Sequence, residues 1–406
     1  MKDVVVIGGG PAGATAGGLL AKEGIDVLVL ERELFPRFHI GESLLPCDLA
    51  VFARLGVDME AGGFLHKAGA EFLDERIDGH TTYLFSDALP GSPDHAYQVD
   101  RATFDHLLLT RARELGAEVH EDERVTGVEM LADRGVVKTT RGSYEARYVI
   151  DATGQDAFLG RRDRTARSLV DFGLAAMFTH FEEIDPAIDH ELCVTAKGNI
   201  KVLFVDDGWC WAIPLGNRRI SIGLVSRRKG AVHEWLEETI ARSPFLSRVT
   251  KGAKRARKPG MLASFSFHNE KQHGPRWACA GDAACFLDPV FSSGVSLGMV
   301  GALHMVDTLV PALRAGTEAE PSLMDEHARH VGHAYDVFAT LINSFYHTSL
   351  LHGLFFFRSE DQDRELRKGL TSVLAGDVWR DDNPFQEKLM SSKRRRVQLV
   401  PQLHSS

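Results

Sequence analysis

The N-terminal part of the chain alternates short apolar runs with a segment of helical composition. An apolar run over 4–7 is followed by a glycine-rich turn, a helical segment over 12–22 and a second apolar run over 25–30. Runs that are apolar throughout are typical of parallel strands covered on both faces. A strand, a turn, a helix and a strand within about thirty residues predict a βαβ unit.

The pattern then returns to the same sheet. A helix is predicted over 103–115, where Gly116 ends it, and strands are predicted over 124–130, 135–140 and 146–152. These elements extend the βαβ unit into a larger α/β domain.

The second half of the chain has a different pattern. Several β-type stretches between 171 and 225 are separated by turn residues, whereas 293–314 and most of 319–378 are helical. We therefore predict an α/β protein with an inserted β-sheet layer and a helical C-terminal region. The predicted domains are a discontinuous nucleotide-binding domain (1–170 and 270–315), the sheet layer (171–269) and the helical region (316–406).

Composition and charge narrow the function classes. The 406 residues are 44% hydrophobic and 25% charged, as in ordinary globular proteins. A net charge of −9 argues against a nucleic-acid partner. The five cysteines are scattered through apolar runs and predict buried thiols, with neither disulfides nor a metal site. We see no secretory signal and no run of about 18 apolar residues, so we expect a cytoplasmic protein without a membrane span.

The first turn carries a dinucleotide-binding motif. Gly8-Gly9-Gly10-Pro11-Ala12-Gly13 fits GxGxxG between a strand and a helix. In this motif Gly8 permits the tight turn, Gly10 admits the pyrophosphate and Gly13 lets the helix pack on the strand. Glu31 ends the second strand, where an acid binds ribose hydroxyls and repels a 2′-phosphate. The pattern favours FAD or NAD over NADP.

Two later motifs favour FAD. Gln98-Val99-Asp100-Arg101 precedes a helix in a combination that resembles p-hydroxybenzoate-hydroxylase-like flavoproteins, and this resemblance places Arg101 near the cofactor. Gly281-Asp282-Ala283 follows an apolar run over 277–280, so Asp282 stands at the C-terminal end of a strand. A carboxylate in that position can accept hydrogen bonds from a ribityl chain.

The source of electrons is also suggested by the sequence. We find no second glycine fingerprint after a strand. Flavin hydroxylases of this fold usually carry an Asp-Gly motif that serves FAD and NADPH, whereas the corresponding place here is Asp151-Ala152-Thr153-Gly154. This difference favours a separate flavin reductase that supplies FADH2.

A small-residue turn follows the second FAD motif. Phe286, Pro289, Ser292 and Gly294 are spaced as FxxPxxSxG, and a helix is predicted to begin after this pattern. Backbone N–H groups at a helix start attract an anion. A branched side chain at Gly294 would fill the space of the anion and oppose any positive φ there. The pattern resembles that of flavin-dependent halogenases, in which the anion is a halide beside the flavin.

The resemblance to flavin-dependent halogenases of the phenol and pyrrole type extends over nearly the whole chain. It includes the segments 38–46, 64–69, 209–214 and 372–378. It implies a p-hydroxybenzoate-hydroxylase-type FAD domain and an enzyme that uses FADH2, O2 and chloride or bromide. The substrate would be an electron-rich phenol or pyrrole, free or tethered to a carrier protein. Hypohalous acid would pass through the protein to Lys67.

The resemblance also assigns individual roles, each with a plainer alternative. Lys67 would be the catalytic lysine, although most lysines are solvated. Glu42 would be a second catalytic residue, placed at the flavin in a strap over the isoalloxazine, although it could be a surface acid. Trp209 and Trp211 would line the flavin site or serve only as core. The expected FAD contacts are Gly8, Gly9, Gly10, Ala12, Gly13, Glu31, Arg101, Val125, Trp209, Trp211, Asp282 and Val295, and the expected halide site is Ser293 and Gly294.

Three further alternatives stay open from the sequence. Phe291 stands where tryptophan halogenases have a glutamate, which disfavours free tryptophan as the substrate. Hydroxylation by a flavin monooxygenase is the main rival function, and a flavin-bound scaffold without turnover is another. The aromatic residues at 345, 346 and 355–357 either form an apolar substrate chamber or pack as ordinary core.

Overall fold

The computed structural model describes residues 1–169, 172, 175–228, 232–347, 349–356 and 364–391. Within these residues the strands are β1 (Lys2–Ile7), β2 (Val27–Leu30), β3 (Leu65–Lys67), β4 (Gly69–Asp74), β5 (Gly79–Leu84), β6 (Ala96–Gln98), β7 (Glu118–His120), β8 (Val125–Met130), β9 (Gly135–Thr139), β10 (Ser143–Asp151), β11 (Ala166–Ser168), β12 (Ala175–Glu182), β13 (Ile200–Val205), β14 (Gly208–Gly216), β15 (Arg219–Ser226), β16 (Lys254–Arg255), β17 (Gly260–Ala263), β18 (Phe267–Asn269), β19 (His273–Gly274), β20 (Trp277–Cys279) and β21 (Cys285–Phe286).

Helices connect these strands and form most of the C-terminal part that the structure describes. The α-helices are α1 (Pro11–Lys22), α2 (Asp48–Leu55), α3 (Arg101–Glu114), α4 (Phe158–Arg162), α5 (Pro186–His190), α6 (Glu234–Arg242), α7 (Pro244–Thr250), α8 (Ser293–Ala315), α9 (Asp325–His347), α10 (Ser349–Phe356), α11 (Arg364–Leu374) and α12 (Pro384–Ser391). Short 3-10 turns occupy Phe85–Asp87, Gly154–Asp156, Gly281–Ala283 and Pro289–Phe291, and a π-helical turn occupies Glu191–Thr195.

The first sheet contains the predicted βαβ unit. Its eight strands follow the order β19-β20-β10-β1-β2-β7, with β9 paired to β10 and β8 paired to β9. β1 runs parallel to both β10 and β2. Val4 and Val6 pack with α1, α3 and α8, whereas Val5 and Ile7 pack on the opposite face. Burial on both faces explains why this run is apolar throughout.

The second sheet is largely antiparallel and lies beside the first. Its order is β16-β12-β15-β14-β13-β4-β5, and β17 pairs with β12. β4 and β5 join this sheet although they fall within the range 1–170, because apolar alternation identifies a strand but not its partner. The two sheets and the C-terminal helices confirm the predicted α/β class. The domain boundaries themselves stay a prediction.

Packing within the second sheet creates an aromatic wall. Trp211 on β14 lies opposite Gly223 on β15. A Cβ atom on Gly223 would come within 2.2 Å of the indole ring of Trp211. Glycine is therefore needed at 223 so that the ring can lie across the neighbouring strand.

The aromatic residues of the C-terminal helices pack mainly as core. Phe355 stacks on Phe72 with ring centroids 4.1 Å apart, and Phe345 lies 4.8 Å from Phe204. This arrangement supports the core interpretation for Phe345 and Phe355. Phe357 lies outside the described residues.

Helix α8 crosses the interior between the first sheet and the C-terminal helices. It is the one helix among the described residues whose length and composition would allow it to cross a membrane, and 61% of its most apolar window is buried inside the protein. It packs against α1, α2 and α9. Core helices share this profile, so its apolar character reflects its position in the interior.

The cysteines are all free thiols. Cys210, Cys279 and Cys285 are buried as predicted, whereas Cys47 and Cys193 are partly exposed.

Candidate functional site

A cavity of about 530 Å³ is lined by residues from both eight-stranded sheets. Its wall includes the C-terminal ends of β1 and β2, the start of α8 and the tryptophan-bearing face of β14. α/β sheets bind ligands at the C-terminal ends of their parallel strands. The predicted site residues that line this cavity are Gly8, Gly10, Ala12, Glu31, Glu42, Arg101, Val125, Trp209, Trp211, Asp282, Gly294 and Val295.

Four predicted residues take other positions. Gly9 and Gly13 lie within the glycine turn, Ser293 is buried at the start of α8, and Lys67 lies behind the cavity wall. The first three belong to the same backbone segments as residues that line the cavity. Lys67 belongs to a separate element, β3.

The glycine turn presents backbone to the cavity. Gly8 has a φ of +106°, and a Cβ atom on Gly13 would come within 1.9 Å of the Gly8 carbonyl oxygen. A side chain at Gly13 would force the strand and α1 apart, and one at Gly8 would come within 2.3 Å of the Ala152 carbonyl oxygen. Glu31 holds the turn from the next strand, because its Oε2 accepts a 2.7 Å hydrogen bond from the Gly9 N–H. The turn and the acid therefore form one preorganised unit.

The segment Phe38–Ser43, which we call the strap, forms one side of the cavity. Arg101 anchors it, because its Nη1 donates to the carbonyl oxygens of Ile40 (2.7 Å) and Gly41 (3.2 Å). Arg101 is itself held by two hydrogen bonds to Asp105. Arg101 therefore lines the cavity and also fixes the strap in position.

Glu42 points from the strap into the interior. Its carboxylate is 2% exposed, so it is not a surface acid. Oε1 lies 2.6 Å from Nε2 of His180 on β12. The other oxygen, Oε2, is buried and has no hydrogen-bond partner among the described residues. An unsatisfied buried carboxylate oxygen in a cavity wall is suited to accept a hydrogen bond from a bound group.

Asp282 follows β20, and it lines the cavity together with Arg101. Burial raises the pKa of its carboxyl group to about 7, and the positive charge of Arg101 partly offsets this rise. Its carboxylate accepts no hydrogen bond from the described residues, so its oxygens are available to a polar ligand. This position matches the one expected for an acceptor of ribityl hydroxyls.

The start of α8 has free backbone donors. The helix begins at Ser293 without a side-chain cap, and the first N–H groups of a helix have no partner within it. Gly294 and Val295 line the cavity, and a Cβ atom on Gly294 would meet only Phe286 and Asp282, at 3.5 and 3.8 Å. These N–H groups can therefore receive an anion from the cavity side.

Gly294 does not adopt a left-handed backbone conformation. The left-handed residue is Ser292, with φ of 58° and ψ of 21°, which precedes the helix. The 3-10 turn Pro289–Phe291 feeds into Ser292, so the reversal of the chain is complete before Gly294 takes a helical position. Glycine at 294 leaves open space, and it does not relieve a strained φ.

Trp209 and Trp211 stand on one face of β14 with ring centroids 5.8 Å apart. Trp209 Nε1 donates to Asp288 Oδ1 (3.2 Å) and to the Tyr346 hydroxyl (3.0 Å). Trp211 Nε1 donates to the Ser221 hydroxyl at 3.1 Å. Both rings are buried and both line the cavity, so their core and cavity-lining roles coexist.

Lys67 is enclosed rather than solvated. It is 1% exposed, and its Nζ donates to the Leu44 carbonyl oxygen at 2.7 Å. Its Nζ also lies 5.4 Å from the centroid of the Phe85 ring. Burial lowers the pKa of the Lys67 amine to about 7, against the opposing effect of Asp48 and Cys47. Leu44 directly follows the strap, so one short stretch of backbone separates the cavity from this amine.

Two further residues of the site were not predicted from the sequence. Arg37 lines the cavity beside Gly10, and its Nη1 pairs with Asp105 at 3.0 Å. His180 pairs with Glu42 from the second sheet. Arg37 stands just before the strap motif, and this nearby basic residue could have been noticed. His180 is far away in sequence and gave no local signal.

Comparison with known proteins identifies both halves of the chain. A family model described as "Tryptophan halogenase" matches residues 90–388, and one described as "FAD binding domain" matches residues 1–162. The flavin-dependent halogenase armH3 of Armillaria mellea is 30% identical, over 96% of this chain and 83% of that protein. The 1H-pyrrole-2-carbonyl-[peptidyl-carrier protein] chlorinase of Pseudomonas fluorescens is 28% identical, over 93% and 89%. A flavoprotein/dehydrogenase structure from Cytophaga hutchinsonii superposes with a TM-score of 0.85 at 28% identity, over 95% and 96%.

We predict that Glu31→Gln weakens FAD binding about tenfold or more. The carboxylate organises the Gly9 N–H, and hydrogen bonds to a charged group contribute about 1.5–3 kcal/mol. FAD titration of the apoprotein, followed by flavin fluorescence, measures the effect. Glu33→Gln is the matched control, since Glu33 also lines the cavity but is exposed. Equal FAD affinity in the two variants would contradict the role of Glu31.

Proposed function

The chain belongs to the flavin-dependent halogenase family, and we propose that it uses FADH2, O2 and chloride or bromide to halogenate an electron-rich aromatic substrate. Membership of this family makes it an oxidoreductase with FAD as its cofactor. The observation that carries the finer proposal is the enclosed amine of Lys67, which lies just behind the strap that lines the cavity. A flavin hydroxylase has no need of an amine there.

The proposed substrate class is a phenol or a pyrrole, free or tethered to a carrier protein. The name of the Pseudomonas fluorescens relative describes action on a carrier-bound pyrrole, which supports this class. Phe291 is buried and packs edge-on against Phe345 with centroids 5.9 Å apart. Since an apolar ring takes the place of the glutamate of tryptophan halogenases, the substrate must bring its own activating group.

The cavity residues fit FAD. The glycine turn and Glu31 suit the pyrophosphate and ribose, and Asp282 suits the ribityl chain. Glu42 offers an unsatisfied carboxylate oxygen from the strap. When bound in its reduced form, FAD supplies the electrons that, with O2 and halide, give hypohalous acid. The first turn of α8 would hold the halide through the Ser293 and Gly294 N–H groups.

Lys67 would act on the hypohalous acid after it leaves the cavity. In the overall substitution an arene C–H and HOX give C–X and water, so the ring loses a proton and the halogen loses hydroxide. An ammonium group hydrogen-bonded to the oxygen of HOX assists departure of that hydroxide as water. The same bond orients the halogen towards the ring. Enclosure of Lys67 keeps bulk water from competing for the acid.

Electron supply is proposed to come from a separate flavin reductase. Asp151, at the place of the hydroxylase Asp-Gly motif, is buried and accepts hydrogen bonds from the Thr153 and Leu159 N–H groups. It therefore serves the local turn. A cytoplasmic location, where a reductase and NADH are available, is part of this proposal.

We predict that the protein halogenates a phenol or pyrrole only when a flavin reductase, NADH, FAD and halide are all present. Without reductase, it should oxidise NADH or NADPH negligibly, because its sequence has no second glycine fingerprint after a predicted strand. Mass spectrometry of a phenol and pyrrole panel detects the products. A hydroxylated product, together with rapid bleaching of bound flavin by NADPH alone, would instead establish a monooxygenase.

We predict that Lys67→Met lowers halogenation by about 10²-fold or more, the usual contribution of a positioned proton donor. FAD affinity and release of hydrogen peroxide by the reduced flavin should not change, because Lys67 does not line the cavity. Lys201→Met is the control, since Lys201 is also buried but pairs with Glu71 in the second sheet. Wild-type halogenation by Lys67→Met would refute the assigned role.

We predict that bromide binds at the first turn of α8. Ser293→Ala should leave bromide binding essentially unchanged, because the donors are backbone N–H groups and the Ser293 side chain is buried. Gly294→Val should abolish it, because its methyl groups would fill the cavity space in front of the turn. Anomalous diffraction from bromide-soaked crystals measures occupancy. Strong bromide peaks elsewhere and none beside Ser293 and Gly294 would exclude this site.

A further inference from the structure

The peptide group between Leu44 and Leu45 lies between two buried ionisable side chains. On one side, its carbonyl oxygen accepts a 2.7 Å hydrogen bond from Lys67 Nζ. On the other side, its N–H donates to Asp48 Oδ2 at 3.3 Å. A peptide group that accepts from an ammonium and donates to a carboxylate is polarised in the same direction by both charges. Each charge therefore strengthens the hydrogen bond made by the other.

Asp48 is as deeply enclosed as Lys67. It is 0% exposed at the start of α2, and its Oδ1 has no hydrogen-bond partner among the described residues. Burial of an ionised carboxylate is costly unless a countercharge is near. The near cation is Lys67. Burial raises the pKa of the Asp48 carboxyl to about 7, and the positive charge of Lys67 opposes this rise.

Asp48 is also joined to the helix that carries the proposed halide turn. The hydroxyl of Ser296 donates to Asp48 Oδ2 at 2.7 Å, and the Leu45 N–H also approaches the Ser296 oxygen at 3.3 Å. Ser296 is fully buried and lies one helical turn beyond Ser293. A continuous set of hydrogen bonds therefore leads from Lys67, through the Leu44–Leu45 peptide and Asp48, to α8.

We propose that Asp48 is a positioning residue that holds Lys67 in its charged form through the Leu44–Leu45 peptide and the field of its carboxylate. A role of Asp48 in halogenation rests on the proposed function, but the effect of Asp48 on the charge of Lys67 does not. Neither Asp48 nor Ser296 lines the flavin cavity, so the role is exerted on the amine and not on the cofactor.

The other titratable groups near this pair are few among the described residues. Cys47 precedes Asp48, and burial raises the pKa of its thiol well above the ordinary value. The thiol is therefore neutral near pH 7. Asp377 faces Cys47 from the segment after α11, but its carboxylate is engaged by Ser92 and Arg380. Asp48 is thus the acid placed to balance the charge of Lys67.

Loss of the Asp48 charge should lower the pKa of Lys67. Burial lowers the pKa of Lys67, and the Asp48 carboxylate opposes that change. Asp48→Asn keeps the shape and an acceptor for the Leu45 N–H but removes the negative charge. The pKa of Lys67 should then fall by about one unit or more, as expected for loss of a nearby opposite charge. At pH 7 the amine would become mainly neutral.

The test is a pH titration of Lys67 in the FAD-loaded protein labelled with ¹³Cε-lysine, followed by NMR. The Lys67 signal is assigned by its absence in Lys67→Met. We expect a lower midpoint in Asp48→Asn. The matched control is Asp74→Asn, which removes another buried carboxylate, one paired with Arg76 in the second sheet, and it should leave the Lys67 midpoint unchanged.

A second variant covers the case in which Asp48→Asn does not fold. Ser296→Ala removes a hydrogen bond that favours the charged carboxylate, so the Lys67 midpoint should fall by a smaller amount. An unchanged Lys67 midpoint in folded Asp48→Asn overturns the proposal, and so does an unchanged midpoint in Ser296→Ala if Asp48→Asn is unfolded.

The halogenation assay separates this proposal from the proposed function. If the protein halogenates, the pH–rate profile of Asp48→Asn should move to lower pH by the same shift as the NMR midpoint, with FAD affinity unchanged. If no substrate is halogenated but the midpoint still shifts, the proposed function fails and the role of Asp48 stands. If halogenation proceeds but neither the pH–rate profile nor the NMR midpoint shifts, the proposed function stands and the role of Asp48 fails.

Discussion

Two buried cations hold one stretch of backbone between them, and the layout of the site depends on it. Arg101 donates to the Ile40 carbonyl oxygen and Lys67 donates to the Leu44 carbonyl oxygen, each at 2.7 Å. The segment between these contacts also pairs with β6, because the Leu44 N–H donates to the Tyr97 carbonyl oxygen. Fixed at three points, the segment cannot move without breaking the hydrogen bond that the buried Lys67 amine donates to it, which is costly. It therefore acts as a stable wall between the cavity and the Lys67 amine.

The opposite side of the cavity is fixed by the buried carboxylate of Asp288, which lies where the second sheet meets the helices. Asp288 accepts hydrogen bonds from Trp209 Nε1 and from the Tyr346 hydroxyl, and its Oδ1 also accepts from the Val290 N–H. One side chain thus joins β14, α9 and the turn that leads into α8. The position of the α8 N–H groups relative to the tryptophan wall is set by this carboxylate, so the aromatic and anion-binding parts of the site belong to one network.

Local spacing made part of this site predictable from the sequence. The glycine turn and Glu31 lie within one βαβ unit, where chain geometry fixes their distance, and Asp282 follows a strand of the same sheet. Partners brought together by tertiary packing could not be predicted in this way. His180 meets Glu42 across 138 positions, and Ser296 meets Asp48 across 248. The φ value at Ser292 was also missed, because the motif indicates that a turn exists but not which residue reverses the chain.

The burial of Lys67 explains why its neighbours need to be ionisable. A lysine in solvent keeps its proton at neutral pH. Bulk water would, however, compete with hypohalous acid for the hydrogen bonds of its ammonium group. An enclosed lysine excludes that water but tends to lose its charge. A buried carboxylate on the far side of a shared peptide offsets this tendency without a direct ion pair to the amine. Placement of Asp48 behind the Leu44–Leu45 peptide therefore favours the charged form of Lys67 while the peptide carbonyl, and not a carboxylate, is the group that Nζ contacts.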